Sequence, residues 1–196
     1  MKNITETLGI GSLAPNFSLP AANRNDTFSL KSLLSTGPVI LEFLRGTWCH
    51  NCRKRLVEIN QMKYKISLSG TQVVFIAAET RDGIWKPAEY LKEHPVSFPV
   101  LLDENRAVTR AYGVYHRIAL DAFDIAHPAT IVVDAEQRVR YIHRGEGQSD
   151  RAPFAQALAV AETKSRAVSY LDSSIQSTSS QTNTQATPFR IRPSES

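Results

Sequence analysis

The sequence predicts an α/β domain with a central mixed β-sheet flanked by helices on both faces. Three observations carry this. Compact apolar runs at 38–44 and 72–78 alternate with stretches whose apolar residues recur every three or four positions. Two more β-rich runs, 129–133 and 139–142, follow one another across a short polar turn, as in a hairpin. A Cys-x-x-Cys pair, Cys49 and Cys52, falls where the first apolar run ends and the first long helical pattern begins.

Residues 1–10 are expected to form a loose lead and 11–170 the domain. Pro15, Pro20 and the turn cluster Asn23-Arg24-Asn25-Asp26 predict an N-terminal hairpin, followed by a short helical turn over 29–34. Pro38-Val39-Ile40-Leu41-Glu42-Phe43-Leu44 reads as a strand buried on both faces. Gly46-Thr47-Trp48 breaks it, and a helix starts at Cys52, with Leu56, Ile59, Met62 and Ile66 on one face and Gly70 as its stop. A second buried strand (72–78), a helix over 86–93 with Pro87 near its start, a third strand (98–102) and a helix over 104–112 closed by Gly113 come next. The strands at 129–133 and 139–142 are joined through Asp134-Ala135-Glu136-Gln137. A final helix is expected over 152–169, with Ser149 or Asp150 near its cap and Pro153 in its first turn. Residues 171–196, rich in Ser, Thr, Gln and Asn, bury too little apolar surface to offset ordering entropy and are expected to be disordered. Within them Phe189-Arg190-Ile191-Arg192 reads as a solvated tail end rather than a binding motif.

The chain has 196 residues and a net charge of +4. Its basic residues are scattered apart from Arg53-Lys54-Arg55, and no nucleic-acid motif accompanies them, so no nucleic-acid partner is expected. The start, Met1 to Thr7, lacks an apolar signal run, and no stretch approaches the roughly 20 apolar residues that span a bilayer. The expectation is a soluble, cytoplasmic protein with no membrane partner. There the cysteine pair would be mostly reduced and act transiently.

The two cysteines are the only ones in the chain. A bond between residues three apart closes almost no loop and adds little stability, so the pair makes more sense as chemistry than as scaffolding. The thiolate is the reactive form, and a helix N-terminus stabilises it. Cys49, at that terminus, is expected to be partly exposed and to attack. Cys52, one turn in, is expected to be more buried and to resolve the mixed disulfide. Arg53 and Lys54 add positive potential, and Trp48 offers a flat apolar contact. Zinc needs about four ligands; with one Cys-x-x-Cys and five histidines forming no short-spaced pair, no metal site or other cofactor is called for.

The segment Leu44-Arg45-Gly46-Thr47-Trp48-Cys49-His50-Asn51-Cys52-Arg53 resembles the active-site segment of the thioredoxin-like redoxins, a group that includes the alkyl hydroperoxide reductase/thiol-specific antioxidant family. The opening Gly11-Ser12-Leu13-Ala14-Pro15-Asn16-Phe17-Ser18-Leu19-Pro20 is similar to that family's start, and His127-Pro128-Ala129-Thr130-Ile131-Val132-Val133-Asp134 to its cis-proline strand. The likeness covers roughly residues 8–168, one domain in size. It implies a thioredoxin-like fold with Pro128 cis and facing the cysteine pair. His127 would then present its backbone to an extended substrate strand.

The same fold supports peroxiredoxins, which typically carry Pro-x-x-x-Thr-x-x-Cys. With Cys52 as the peroxidatic residue, the Thr and Pro positions hold Cys49 and Arg45; with Cys49, they hold Gly46 and Glu42. Neither register fits, although Arg45, Thr47 and Arg117 are candidate donors to a peroxide. Thiol–disulfide exchange needs only an accessible thiolate, a resolving thiol and room for a partner. Glu42, in an apolar strand, is a candidate proton relay to Cys52, the other reading being an outward-facing residue or one paired with Arg45. The expected activity is therefore thiol–disulfide oxidoreduction through Cys49, Cys52 and Glu42. Trp48, Thr47, His127 and Pro128 would meet a protein or small-molecule disulfide, and an external thiol would restore the dithiol. A hydroperoxide-reducing peroxidase is the alternative, and a redox-sensing adaptor the third reading.

Overall fold

The computed structural model describes residues 8–118 and 123–163. The expected structure of 1–7, of 164–169 and of the polar tail lies outside the described residues. A five-stranded sheet of order β5-β4-β3-β8-β9 organises the domain: β3 (Val39–Leu44), β4 (Gln72–Ala77), β5 (Val100–Leu102), β8 (Ala129–Val133) and β9 (Val139–Arg144). β3 pairs in parallel with β4 and antiparallel with β8, so the sheet is mixed, as expected. The predicted N-terminal hairpin is a separate pair, β1 (Ser18–Pro20) with β2 (Thr27–Ser29).

Both faces are covered. Side chains alternate along a strand, so Val39, Leu41 and Phe43 face one way and Ile40, Glu42 and Leu44 the other. The first set packs with Leu30 and Leu33 of α1 (Leu30–Leu34) and Val108 of α5 (Ala107–Ala111). The second packs with Cys52, Leu56 and Ile59 of α2 (His50–Gln61), Leu91 of α4 (Pro87–Glu93) and Phe154, Ala157 and Leu158 of a last helix, α6, at 154–163.

The helix expected from Cys52 through Ile66 divides at Met62 into α2 and α3 (Lys63–Leu68). The helix expected over 104–112 shortens to α5, where Gly113, at φ 66°, closes it with the Gly113 and Val114 N–H groups bonding the Arg110 and Thr109 carbonyls. The expected lead is tied down at its end. Leu8 lies in the core, and its carbonyl accepts from Arg144 at 2.7 Å. An antiparallel pair, β6 (Tyr115–Ile118) with β7 (Phe123–Ala126), occupies a stretch with no element expected from sequence. Among the described residues no helix is long and apolar enough to cross a membrane.

Candidate active site

Cys49 follows the end of β3 through the turn Arg45-Gly46-Thr47-Trp48 and is the N-cap of α2. The turn is held by a buried carboxylate. Glu79, two residues beyond β4, accepts from the Thr47 N–H at 2.6 Å and the Thr47 hydroxyl at 3.2 Å. Arg53 Nε closes the other side on the Thr47 carbonyl at 2.5 Å. Thr47, expected to meet substrate, is thus fully buried with its polar groups used, and it fixes the turn instead. Burial raises the Glu79 carboxyl above its ordinary range, against the two Thr47 bonds.

The two thiols are unequal. Cys49 is lowered to about 5, first because the Cys52 thiol donates to it, then through the Cys52 backbone, the Arg45 charge and the Asn51 backbone, with burial opposing. Cys52 is raised well above the thiol range because its proton is held by Cys49 and because it is buried. One thiol holds the negative charge and its neighbour holds the proton. The expected partial exposure of Cys49 does not hold: it is 3% exposed and Cys52 0%. Cys49 packs in the apolar cluster of Leu44 and Leu56 with half-buried Trp48 against it. Of the flanking bases, Lys54 is exposed, and Arg53 also lies over the Tyr90 ring at 4.2 Å.

Glu42 is buried as its apolar strand required, and burial raises its pKa. Its partner is Arg55 of α2, which bonds both carboxylate oxygens at 3.1 and 2.9 Å, joined by the Thr130 hydroxyl at 2.9 Å. Thr130 stands opposite Glu42 in the β3–β8 register. Arg45, the alternative partner weighed from sequence, donates instead to Gln148 at 2.8 Å. The side chain on the Cys52 sulfur is not Glu42 but Arg151, whose Nη2 donates at 3.3 Å.

Arg151 and Gln148 come from one stretch, 145–151, of the connection between β9 and α6. The Gly145 N–H bonds the Pro128 carbonyl at 2.7 Å. A Cβ on Gly145 would run into the Asp150 carbonyl oxygen and crowd that of Pro128, so only glycine lets the loop close here. Loop residues far from a motif in sequence carry no periodicity signal, and Arg151, Gln148 and Glu79 went unseen for that reason.

Pro128 lies one residue before Ala129, which pairs with Phe43, so it sits at the end of the sheet from which the cysteine turn departs. The expected cis form is corrected: the His127–Pro128 bond is trans. The His127 N–H bonds the Val114 carbonyl and the Gly145 N–H the Pro128 carbonyl, each at 2.7 Å. Both anchors are made with the trans form that an X-Pro bond prefers by about 0.5–1 kcal/mol. His127 is half-buried, its ring 4.2 Å from that of His116, and burial, His116 and Arg45 all lower its pKa. Arg117 is exposed on β6.

Beside the turn lies a cavity of about 360 Å³, lined by Trp48, Glu79, Ile84, Trp85, Arg106 and Phe123 among others. The Trp48 and Trp85 rings stack at 5.8 Å. Ile84, Trp85 and Phe123 are 86%, 55% and 74% exposed, a run of large apolar side chains in water.

Comparison with known proteins agrees with this geometry. The model of the Redoxin family matches residues 10–160. The chain is 33% identical over 137 residues to the thiol-disulfide oxidoreductase ResA of Bacillus subtilis, covering 68% of this chain and 66% of that one. To ResA of Bacillus thuringiensis subsp. konkukian it is 28% identical over 141 residues, covering 72% and 73%. Among solved structures, a thiol:disulfide interchange protein DsbE from Chlorobium tepidum superposes with a TM-score of 0.62 at 26% identity, over 79% of this chain and 99% of that one. The peroxidoxin BcpB of Mycobacterium tuberculosis, at TM-score 0.69 and 24% identity over 80% and 97%, shares the fold. With a Cys-x-x-Cys at the strand–helix turn, a mixed sheet covered on both faces and a family match spanning most of its length, the chain belongs to the redoxin family and has the thioredoxin-like fold.

Proposed function

We propose that this thiol-dependent oxidoreductase works by thiol–disulfide exchange on protein disulfides, with Cys49 attacking and Cys52 resolving. The observation that carries the reading is the inequality of the two thiols. One is held as a thiolate near neutral pH and its neighbour keeps the proton. The Cys49 thiolate attacks one sulfur of the partner's disulfide, forming a mixed disulfide and releasing the other sulfur as a thiolate. Cys52 then loses its proton to solvent and attacks Cys49 Sγ. The partner leaves as its second thiolate, and the Cys49–Cys52 bond forms. An external dithiol returns the pair to the reduced state.

Trp48, Trp85, Ile84 and Phe123 form the apolar surface beside the reacting turn that suits a polypeptide partner. His127 and Pro128 border the turn from the sheet end. Peroxide reduction through Cys52 is disfavoured, because a buried thiol with a raised pKa is a poor attacking group. The test is trapping. Cys52→Ser should accumulate a mixed disulfide between Cys49 and an oxidised protein substrate, seen as a shifted band that reductant removes. Cys49→Ser should trap nothing. Trapping by Cys49→Ser and not by Cys52→Ser would reverse the roles and refute the reading.

A further inference from the structure

We propose that Arg151 is a catalytic residue of the resolving step: its guanidinium stabilises the Cys52 thiolate once Cys49 is tied up in the mixed disulfide. The inference rests on the exchange reading above and adds a residue and a step to it.

In the free dithiol the Cys52 proton is held by the Cys49 thiolate. That hold disappears when Cys49 attacks, because its sulfur then carries a neutral disulfide bond. What remains is a backbone hydrogen bond at Gly46 and, as the one side chain that bonds the Cys52 sulfur, Arg151 Nη2 at 3.3 Å. A fixed guanidinium beside a sulfur favours its anion. A guanidinium donates hydrogen bonds and has no acceptor site, so Arg151 does not itself take the proton. Solvent takes it, and the guanidinium lowers the cost of the anion left behind.

The surroundings support this. Arg151 Nε is buried and meets no protein acceptor among the described residues, so this guanidinium is not spent on a neighbouring carboxylate. Glu42 feels its charge, but Glu42 is already bonded by Arg55 through both oxygens. The groups that act on Cys52 are therefore Cys49 at the N-cap of α2, the Gly46 backbone and Arg151 before α6; Arg45 acts on Cys49, and Arg151 acts with Arg55 on Glu42. The loop that delivers Arg151 also delivers Gln148 to Arg45, so one segment serves the neighbours of both sulfurs.

The experiment is a single-turnover reaction of the full reduced chain with one equivalent of dithiobis(nitrobenzoate), an aromatic disulfide that yields one coloured thiolate on attack and a second on resolution. Arg151→Gln should leave the first phase close to wild type and raise the pH midpoint of the second by about one to two units. Because a more basic thiolate is also more nucleophilic, the second phase should slow only about three- to tenfold at neutral pH. Arg151→Lys should restore most of the loss, and Arg151→Met, which keeps the packed stem without the charge, serves in place of Gln if that variant does not fold. A normal first phase with an unmoved second midpoint would overturn the role of Arg151 alone. Equal slowing of both phases would overturn it too, by showing a merely structural part. Absence of the first phase in the wild type would overturn the exchange reading, and this inference with it.

Discussion

Removing the Cys52 thiol should move the ionisation of Cys49 to higher pH, even though Cys49 and its helix are untouched. Cys49 sits near 5 because of four contributions, and the largest is the hydrogen bond from Cys52. At pH 6 roughly nine-tenths of a thiol with that pKa is ionised, against well under one-hundredth of an ordinary thiol near 8.5. In Cys52→Ala the backbone amides of Cys52 and Asn51 and the Arg45 charge remain, but burial now opposes a smaller set. The midpoint should rise by more than about one unit, so alkylation of Cys52→Ala should still be climbing at pH values where the wild type has reached its plateau, and its own plateau should lie higher because a more basic thiolate is more nucleophilic. The assay is the pH dependence of iodoacetamide alkylation of Cys49, with thiolate absorbance as an independent readout. A wild-type midpoint above about pH 7, or the same midpoint in Cys52→Ala, would refute the reasoning.

Other consequences are as direct. Folding depresses Cys49 below its unfolded value, so the reduced protein gains stability that is full above about pH 8.5 and is lost as the pH falls through about 5. Urea titrations of wild type and Cys49→Ser across that window should diverge with rising pH. Arg55→Met leaves the Glu42 carboxylate buried without its partner and should cost about 3–5 kcal/mol by urea denaturation, most of it recovered when Glu42→Leu is added. Gly145→Ala drives a methyl into the Asp150 carbonyl, so the 145–151 loop must shift, and the second phase of the nitrobenzoate reaction should slow more than the first. Trp85→Ala should raise KM for a protein disulfide at least several-fold while leaving attack on a small disulfide near wild type. Equal effects on both substrates would argue against the apolar docking surface.

Much of the frame was legible because it rests on local patterns. The doubly buried strand around Glu42 has no polar alternation, Gly113 announces the end of α5, and the Cys-x-x-Cys pair sits at the junction those signals define. The β6–β7 pair was not legible. Tyr115, His116 and Arg117 lack an apolar run, and the pairing of His116 with Ile125 is a tertiary fact. The site divides in the same way. The unequal thiols of Cys49 and Cys52 follow from a helix start, but which charge meets which acid does not. Glu42 selects Arg55, from a helix turn on the same face, over Arg45, which is nearer in sequence. Arg151 reaches Cys52 from 99 residues away, across a loop that only Gly145 allows to close. The proline was misread through its resemblance: similarity of sequence around Pro128 did not carry the cis bond with it.

The central claim is that the pair exchanges disulfides rather than reduces peroxides. It is tested most directly by mixing reduced protein with a protein disulfide and, separately, with hydrogen peroxide in stopped flow. The stacked Trp48 and Trp85, the only tryptophans in the chain, report oxidation of the pair. The account predicts fast reaction with the disulfide, lost in Cys49→Ser, and slow reaction with peroxide. Fast, saturable peroxide consumption that disappears in Cys52→Ser would contradict it.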